Sequence, residues 1–340
     1  MIASAVSALA KRLNRNGRRI GRPFDPSTQL TPPHGLRSSW VHYGVMVPDL
    51  PEPHRTFGVM SIIGTPGIAI FSNDHAIVTS ASDTAYLVSA TAAMRGEGLH
   101  TYSIARDCEI LPDGSLVRLG DDLTIEGSYP DFRLQRFHRD VVVDLDIQAT
   151  DKVTYFVDLP GGLYTHWSLL CRYNGAVGGL LVAGLCTLEY ASGVGLHSIP
   201  IPGTPNLPVP FFTYHVLNID ERTQVLTSKV LGAGGIELIS ATWVRGLDDY
   251  GSELLDTRFD VEEYEPAPRS TPSGRDMRLP ATLTWSAYLR GSEVISITGR
   301  CHGDWVYGLG AGFVGSYHYT GSFRGKAIEG IAYIEYIDLR

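Results

Sequence analysis

The stretch FFTYHVLNI sets His215 in an alternating run, on one strand face with Phe211, Thr213, Leu217 and Ile219. Burial among such neighbours depresses an imidazole's pKa and keeps it neutral, a state suited to general-base work near pH 7. The same surroundings suit a hydrogen-bonded core histidine. Further on, CHGDWVYG carries His302 and Asp304 two residues apart, on one face with Arg300 and Thr298. A carboxylate so placed can orient an imidazole for acid or base catalysis, and the plainer account is a solvated face. Tyr317 adds a phenol to what reads as an inward face, where a buried hydroxyl needs a partner. His215, Tyr317, His302 and Asp304 are the candidate proton carriers.

The candidate substrate contacts are His166, Trp167, Tyr214 and Phe313. Trp167 and Phe313 fall on inward apolar faces, and Tyr214 adjoins His215. His166 alternates with Ser168 and Arg172, which puts it on the outer face, at a seam between units or in water.

Several chemistries lose ground. GAGFVG, residues 310–315, matches the dinucleotide fingerprint, but that motif must open a helix and here FVGSYHYTG continues as strand. No Gly-Lys-Ser/Thr phosphate loop, Gly-x-Ser-x-Gly elbow, HExxH or paired-Cys spacing is present. No metal site and no cofactor are expected. Cys108, Cys171, Cys186 and Cys301 are scattered, which reads as free thiols in a reducing cytoplasm.

The elements that must position these residues are short alternating runs cut by Gly, Pro, Asp and Asn, from WVHYGVMV near Trp40 to GIAYIEYIDL near the C-terminus. That is the rhythm of an antiparallel all-β protein. In DVVVDLDI the faces separate cleanly, with Val141, Val143, Leu145 and Ile147 on one and Asp140, Asp144 and Asp146 on the other, the acids solvated. DTAYLVSATAAMRGEG is the one fair helix beyond the N-terminal arm.

YNGAVGGLLVAGLCTLEY, residues 173–190, returns 146 positions later as YTGSFRGKAIEGIAYIEY. Tyr173, Gly175, Gly179, Gly184, Glu189 and Tyr190 fall on Tyr319, Gly321, Gly325, Gly330, Glu335 and Tyr336 without a gap. An internal duplication follows, and with it three segments: a basic arm and Pro-rich linker over 1–37, a first β unit over 38–195 and a second over 205–340. A carboxylate kept in both copies, Glu189 and Glu335, reads as a structural pairing, because a catalyst needs only one copy. Function is expected where the copies differ, as Cys171 and Tyr317 do.

With 340 residues, 44% hydrophobic and 19% charged, the chain has the composition of a soluble protein with a large core. Lys11, Arg12, Arg15, Arg18, Arg19 and Arg22 stand in an arm free of acids; removing these six positive charges from the net −8 leaves −14 on the remainder. A body so acidic repels phosphate backbones, so nucleic acid is excluded as the main partner. If the arm is helical, Ile2, Val6, Leu9 and Leu13 form one apolar stripe, suited to docking on the body or to a weak membrane-surface contact.

The late Gly-rich strands, above all GIAYIEY, together with THWSLLCRYNG and TYHVLNID, resemble the two-domain lipocalin-like proteins related to carotenoid hydratase, also called hydroxyneurosporene synthase. The resemblance covers roughly residues 40–340. It implies long apolar ligands held in or between barrel-like domains, and hydration, cyclisation or isomerisation without a redox cofactor. The Asp-His-aromatic-Gly stretch of several relatives is missing here, CHGDWVYG being nearest, so no catalytic residue carries over.

The expected fold is all-β: two consecutive antiparallel lipocalin-like barrel or sandwich units from an internal duplication. The expected function is that of a cofactor-independent acid/base enzyme, a hydratase, dehydratase, isomerase or cyclase acting on a hydrophobic isoprenoid, steroid or lipid-like substrate. A non-catalytic carrier of such a ligand is the alternative, and a scaffold with filled interiors a third. The expected location is cytoplasmic, or peripheral to the membrane through the arm.

Overall fold

The computed structural model describes residues 9, 12–28, 39–71, 73–94, 98–137, 141–195 and 206–340. Ile2 and Val6 of the expected stripe therefore lie outside the described residues, while Leu9 and Leu13 are described and exposed; the middle of the connector between units also lies outside them.

Alternation builds the outer walls. In β9 (Val142–Asp158) Val143, Leu145 and Ile147 are buried while Asp144 faces outward to Arg133. Strands β1 (Trp40–Val47), β2 (Phe57–Ile63) and β3 (Thr84–Thr91) are instead buried at every residue. The expected helix at DTAYLVSATAAM is this third strand. With both its faces covered it shows no alternation, and periodicity alone could not separate it from a helix.

The first sheet runs from β4 (Leu99–Ser103) through β3, β2, β1, β11 (Leu180–Gly193), β10 (Tyr164–Val177) and β9. It continues to β8 (Asp131–Phe137), β7 (Leu123–Ser128), β6 (Leu116–Leu119) and β5 (Cys108–Ile110). The edge strands β4 and β5 are consecutive, joined by one helical turn, Ile104–Asp107, so the antiparallel sheet curls nearly shut. The second sheet follows the order β15 (Ser252–Leu254), β14 (Glu237–Gly246), β13 (Thr223–Leu231), β12 (Phe211–Asn218), β23 (Lys326–Asp338), β22 (Gly312–Phe323), β20 (Ser292–Cys301), β19 (Pro280–Leu289) and β16 (Asp256–Tyr264). Its edges are consecutive too: Thr257 donates to Leu254 O, and Ser240 on β14 donates to Thr257 O. β17 (Arg269–Ser270) and β18 (Asp276–Met277) pair with each other in a separate two-stranded sheet, and β21 (Val306–Leu309) pairs with β22, so GAGFVG is a hairpin turn running into strand.

The duplicated frame is visible in the pairing register. Tyr173 pairs with Gly184 and Tyr319 with Gly330; Trp167 pairs with Tyr190 and Phe313 with Tyr336. A Cβ on Gly175 would lie 2.1 Å from Asp144 O, and one on Gly321 2.0 Å from Ser296 O. Both copies thus need glycine for close strand approach.

The two barrels meet wall to wall. The outward side chains of β1, β2 and β3, including Met46, Met60 and Val88, join one continuous core with Phe212, Tyr214 and Val216 of β12. Arg245 of β14 crosses the junction, donating to Ser168 O at 2.7 Å, Ser168 Oγ at 3.0 Å and Leu169 O at 3.1 Å, while Gln224 accepts from the same guanidinium. The arm lies across β9: Arg15 N donates to Asp158 O, Phe24 N donates to Asp151 O, and the Phe24 ring is buried between Tyr129 and Trp167. Among the described residues no helix is long and apolar enough to cross a membrane.

Candidate active site

Three adjacent strands of the first barrel, β1, β11 and β10, bring His42, Glu189 and His166 together on the wall that faces the second barrel. His42 and His166 both pair with Ala191, one from each side, and Glu189 stands two residues along the middle strand, between Gly44 and Ser168. The small Ala191 leaves the space above it to the two imidazoles. A Cβ on Gly44 would approach the His42 ring to 3.0 Å, so Gly44 lets that ring lie toward Glu189.

Each of the three is oriented by a neighbour. His42 Nδ1 lies 3.0 Å from Ser61 O and must donate to it, which leaves the lone pair on Nε2. His166 Nδ1 lies 3.3 Å from the Tyr164 hydroxyl. Glu189 Oε1 accepts from the Tyr214 hydroxyl at 2.6 Å. His166 Nε2 is 3.7 Å from Glu189 Oε2, too long for a hydrogen bond, and this buried nitrogen has no hydrogen-bond partner. The imidazoles stand nearly perpendicular, their centroids 5.6 Å apart. Among the described residues these are the one group of three or more donors that could hold a metal ion, with ligand atoms within 4.8 Å of one another.

The second barrel supplies the opposing wall. Tyr214 pairs with Glu335 across β12 and β23, and the Tyr333 hydroxyl donates to Glu335 Oε1 at 3.0 Å. Gly58 makes room for that phenol, since a Cβ there would lie 2.5 Å from the Tyr333 ring. Phe156 seals one side, packed against His166, Tyr214 and Trp243 at 4.8, 5.5 and 5.0 Å.

Burial divides the ionisable groups. It pushes the Glu335 carboxyl well above the usual carboxylate range, the nearby Glu189 charge pushes the same way, and Tyr333 opposes weakly. Burial also acts to raise Glu189, but His166, the Tyr214 hydroxyl and His42 outweigh it and hold that carboxyl below its ordinary value. His42 is pushed down to about 4, first by burial and then by His166. Burial lifts Tyr214 and Tyr333 well above 10, so both remain hydrogen-bond donors.

The other sequence candidates are placed as follows. His215 and Tyr317 meet inside the second barrel in a chain of bonds: Trp285 Nε1 donates to the Tyr317 oxygen (3.3 Å), and the Tyr317 hydroxyl donates to His215 Nδ1 (3.0 Å). His215 Nε2 donates to Thr213 Oγ1 (2.9 Å), which donates to Glu335 O (2.8 Å). Every donor finds an acceptor, and burial drives His215 down to about 3. His302 and Asp304 are bridged by Ser316, whose hydroxyl lies 2.9 Å from His302 Nδ1 and donates to Asp304 Oδ2 at 2.5 Å. Asp304 and Tyr333 border a recess of about 10 Å³. Trp167 is packed against Phe24 and Tyr190, and Phe313 against Tyr307, each away from the histidine cluster. His166 and Tyr214 are the two that come together.

Sequence reasoning passed over His42 and Tyr333 and set both glutamates aside. One signal was available. In the duplicated register His42 corresponds to Phe212, His166 to Gly312, Gly44 to Tyr214 and Thr187 to Tyr333. The first copy contributes histidines around its glutamate and the second contributes tyrosines.

The architecture recurs in solved structures. A candidate AttH from Nitrosomonas europaea is 13% identical, with 94% of this chain and 99% of that one covered at a TM-score of 0.59. Kievitone hydratase from Nectria haematococca is also 13% identical, with 96% and 95% covered at a TM-score of 0.55. At this identity the likeness is one of fold, the two-unit lipocalin type. A search of curated proteins returns no match. Residues 60–340 match the model of a family of unknown function, and the chain belongs to that family, DUF6670.

Proposed function

We propose that the seam between the barrels is the active site of an acid–base enzyme without a redox cofactor, of the hydratase, dehydratase, isomerase or cyclase kind, acting on a hydrophobic isoprenoid-, steroid- or lipid-like substrate. The observation that carries this reading is Glu335, a buried carboxyl held by Tyr333, set opposite His42, His166 and Glu189 within apolar walls. Burial favours its protonated form, so it can give a proton to a substrate double bond or to a departing hydroxyl. The opposite cluster takes up a proton or holds the water that adds. Met46, Met60, Phe156 and Trp243 keep bulk solvent from competing. A substrate would enter from the side of the arm, where a recess of about 20 Å³ is lined by Arg19, Ile20, Tyr155 and Trp243. One protein sharing the fold is a hydratase by name, in keeping with the water-adding member of this set.

The test is proton exchange. Whatever apolar molecule is extracted from the purified protein is returned to it in D₂O, and carbon-bound deuterium is followed by mass spectrometry. Incorporation lost in Glu335→Gln and kept in Tyr317→Phe supports the seam; the converse returns the chemistry to His215 and Tyr317. A molecule that binds and never exchanges makes the protein a carrier.

A further inference from the structure

We propose that His42, His166 and Glu189 bind one divalent first-row transition-metal ion through His42 Nε2, His166 Nε2 and Glu189 Oε2. Two imidazoles and a carboxylate are a donor set used by zinc and iron sites that keep positions open for water or substrate. Such ligands sit about 2.0–2.2 Å from the ion, hence roughly 3–3.4 Å from each other. His166 Nε2 and Glu189 Oε2 at 3.7 Å are already near that spacing, and one ligand atom from each of the three residues lies within 4.8 Å of the others.

The surrounding bonds have the pattern of a prepared site. A ligating histidine usually donates its other ring N–H to a carbonyl or similar group, which fixes the tautomer and aims the free nitrogen. His42 does this with Ser61 O, His166 has the Tyr164 hydroxyl at its Nδ1, and Glu189 has its other oxygen taken by Tyr214. What remains free on each residue points to one place. His166 Nε2 shows this most directly, being enclosed without any hydrogen-bond partner. An enclosed orphan nitrogen is costly unless something binds it. The ligands also stand on three hydrogen-bonded strands of one barrel wall, so little reorganisation is required. Finally, both histidines are absent from the second copy, where Phe212 and Gly312 take their places beside Glu335.

The inference concerns the site proposed above but does not depend on its reaction, and its test needs no substrate. Tag-free protein is stripped with chelator, titrated with Zn²⁺ by calorimetry, and titrated with Co²⁺ by visible absorption. One ion per chain is expected. His42→Ala, His166→Ala and Glu189→Gln should each weaken binding by at least about 100-fold, and Tyr214→Phe by about 10- to 100-fold, as outer-shell losses do. His302→Ala should leave binding unchanged. His166→Gln serves if an alanine variant does not fold, and displacement of Co²⁺ by Zn²⁺ at equal stoichiometry reads the wild-type chain alone. Uptake below one equivalent, or uptake undiminished in Glu189→Gln, overturns the proposal. Metal binding without deuterium incorporation would sink only the proposed reaction, and incorporation by a protein that takes up no metal would sink only this site.

Discussion

Replacing His215 with glutamine should change how stability depends on pH. The imidazole is enclosed by Phe259, Trp285 and Tyr317, with no charged side chain among the described residues shifting it, and its Nδ1 must accept from Tyr317. Burial lowers its pKa from 6.5 to about 3. In the unfolded chain it regains the ordinary value, so between those two pH values the unfolded state binds the extra proton. A depressed histidine therefore contributes stability that is fully present above about pH 6.5 and is lost as pH falls toward 3. Integrating from pH 7 to pH 5 gives a loss of about 2 kcal/mol from this one group. Urea denaturation of wild type and His215→Gln at both pH values measures it. His42, also depressed, contributes to both proteins and drops out of the difference. The variant is expected to be weaker at pH 7, yet to lose about 2 kcal/mol less than wild type on going to pH 5. Equal losses would mean that His215 titrates normally in the folded state, and the closed chain from Trp285 to Glu335 would have to be abandoned.

Tyr317→Phe leaves Trp285 Nε1 and His215 Nδ1 without their partner, at about 1–3 kcal/mol for each unpaired buried group; a urea midpoint equal to wild type would deny that chain its structural weight. Arg245→Met strips donors from Ser168 O, Leu169 O and Gln224 at the junction, again about 1–3 kcal/mol each. Calorimetry should then resolve two melting steps where wild type shows one, and a single unshifted transition would show that the barrels are coupled by other contacts. Deleting residues 1–22 is expected to abolish weak pelleting with anionic vesicles, because the chain's concentrated positive charge goes with them. Pelleting that survives the deletion, or is never seen, removes the arm as a membrane contact.

How much of this was legible in the sequence depended on which surface a strand face meets. Where one face meets water, as in Val142–Asp158, alternation gave the strand and its inward residues. Where the outer face meets the other barrel, as in Thr84–Thr91, polar residues no longer mark it and a strand could pass for a helix. The seam consists of such faces, so the region of most chemical interest has the weakest pattern. His42 illustrates this: nothing in WVHYGVMV distinguishes it, and residues 42, 166 and 189 meet only through the pairing of His42 and His166 with Ala191. Strand parity is more informative. It puts Tyr317 on an inward face and His215 among buried apolar neighbours, where the two are in contact, and His166 on the outer face, where it lines the seam. A glutamate retained in both copies reads as structural because a catalyst needs only one, but the units pack with those walls together, so the Glu189 charge acts on the Glu335 carboxyl. There the first is surrounded by histidines and a tyrosine from the other barrel, which outweigh burial and hold it below its ordinary value, while the second has its own Tyr333 and is pushed up by burial. A residue kept in two copies of a repeat can therefore carry two distinct roles once the copies face each other, and the difference must be read from neighbours that were not kept.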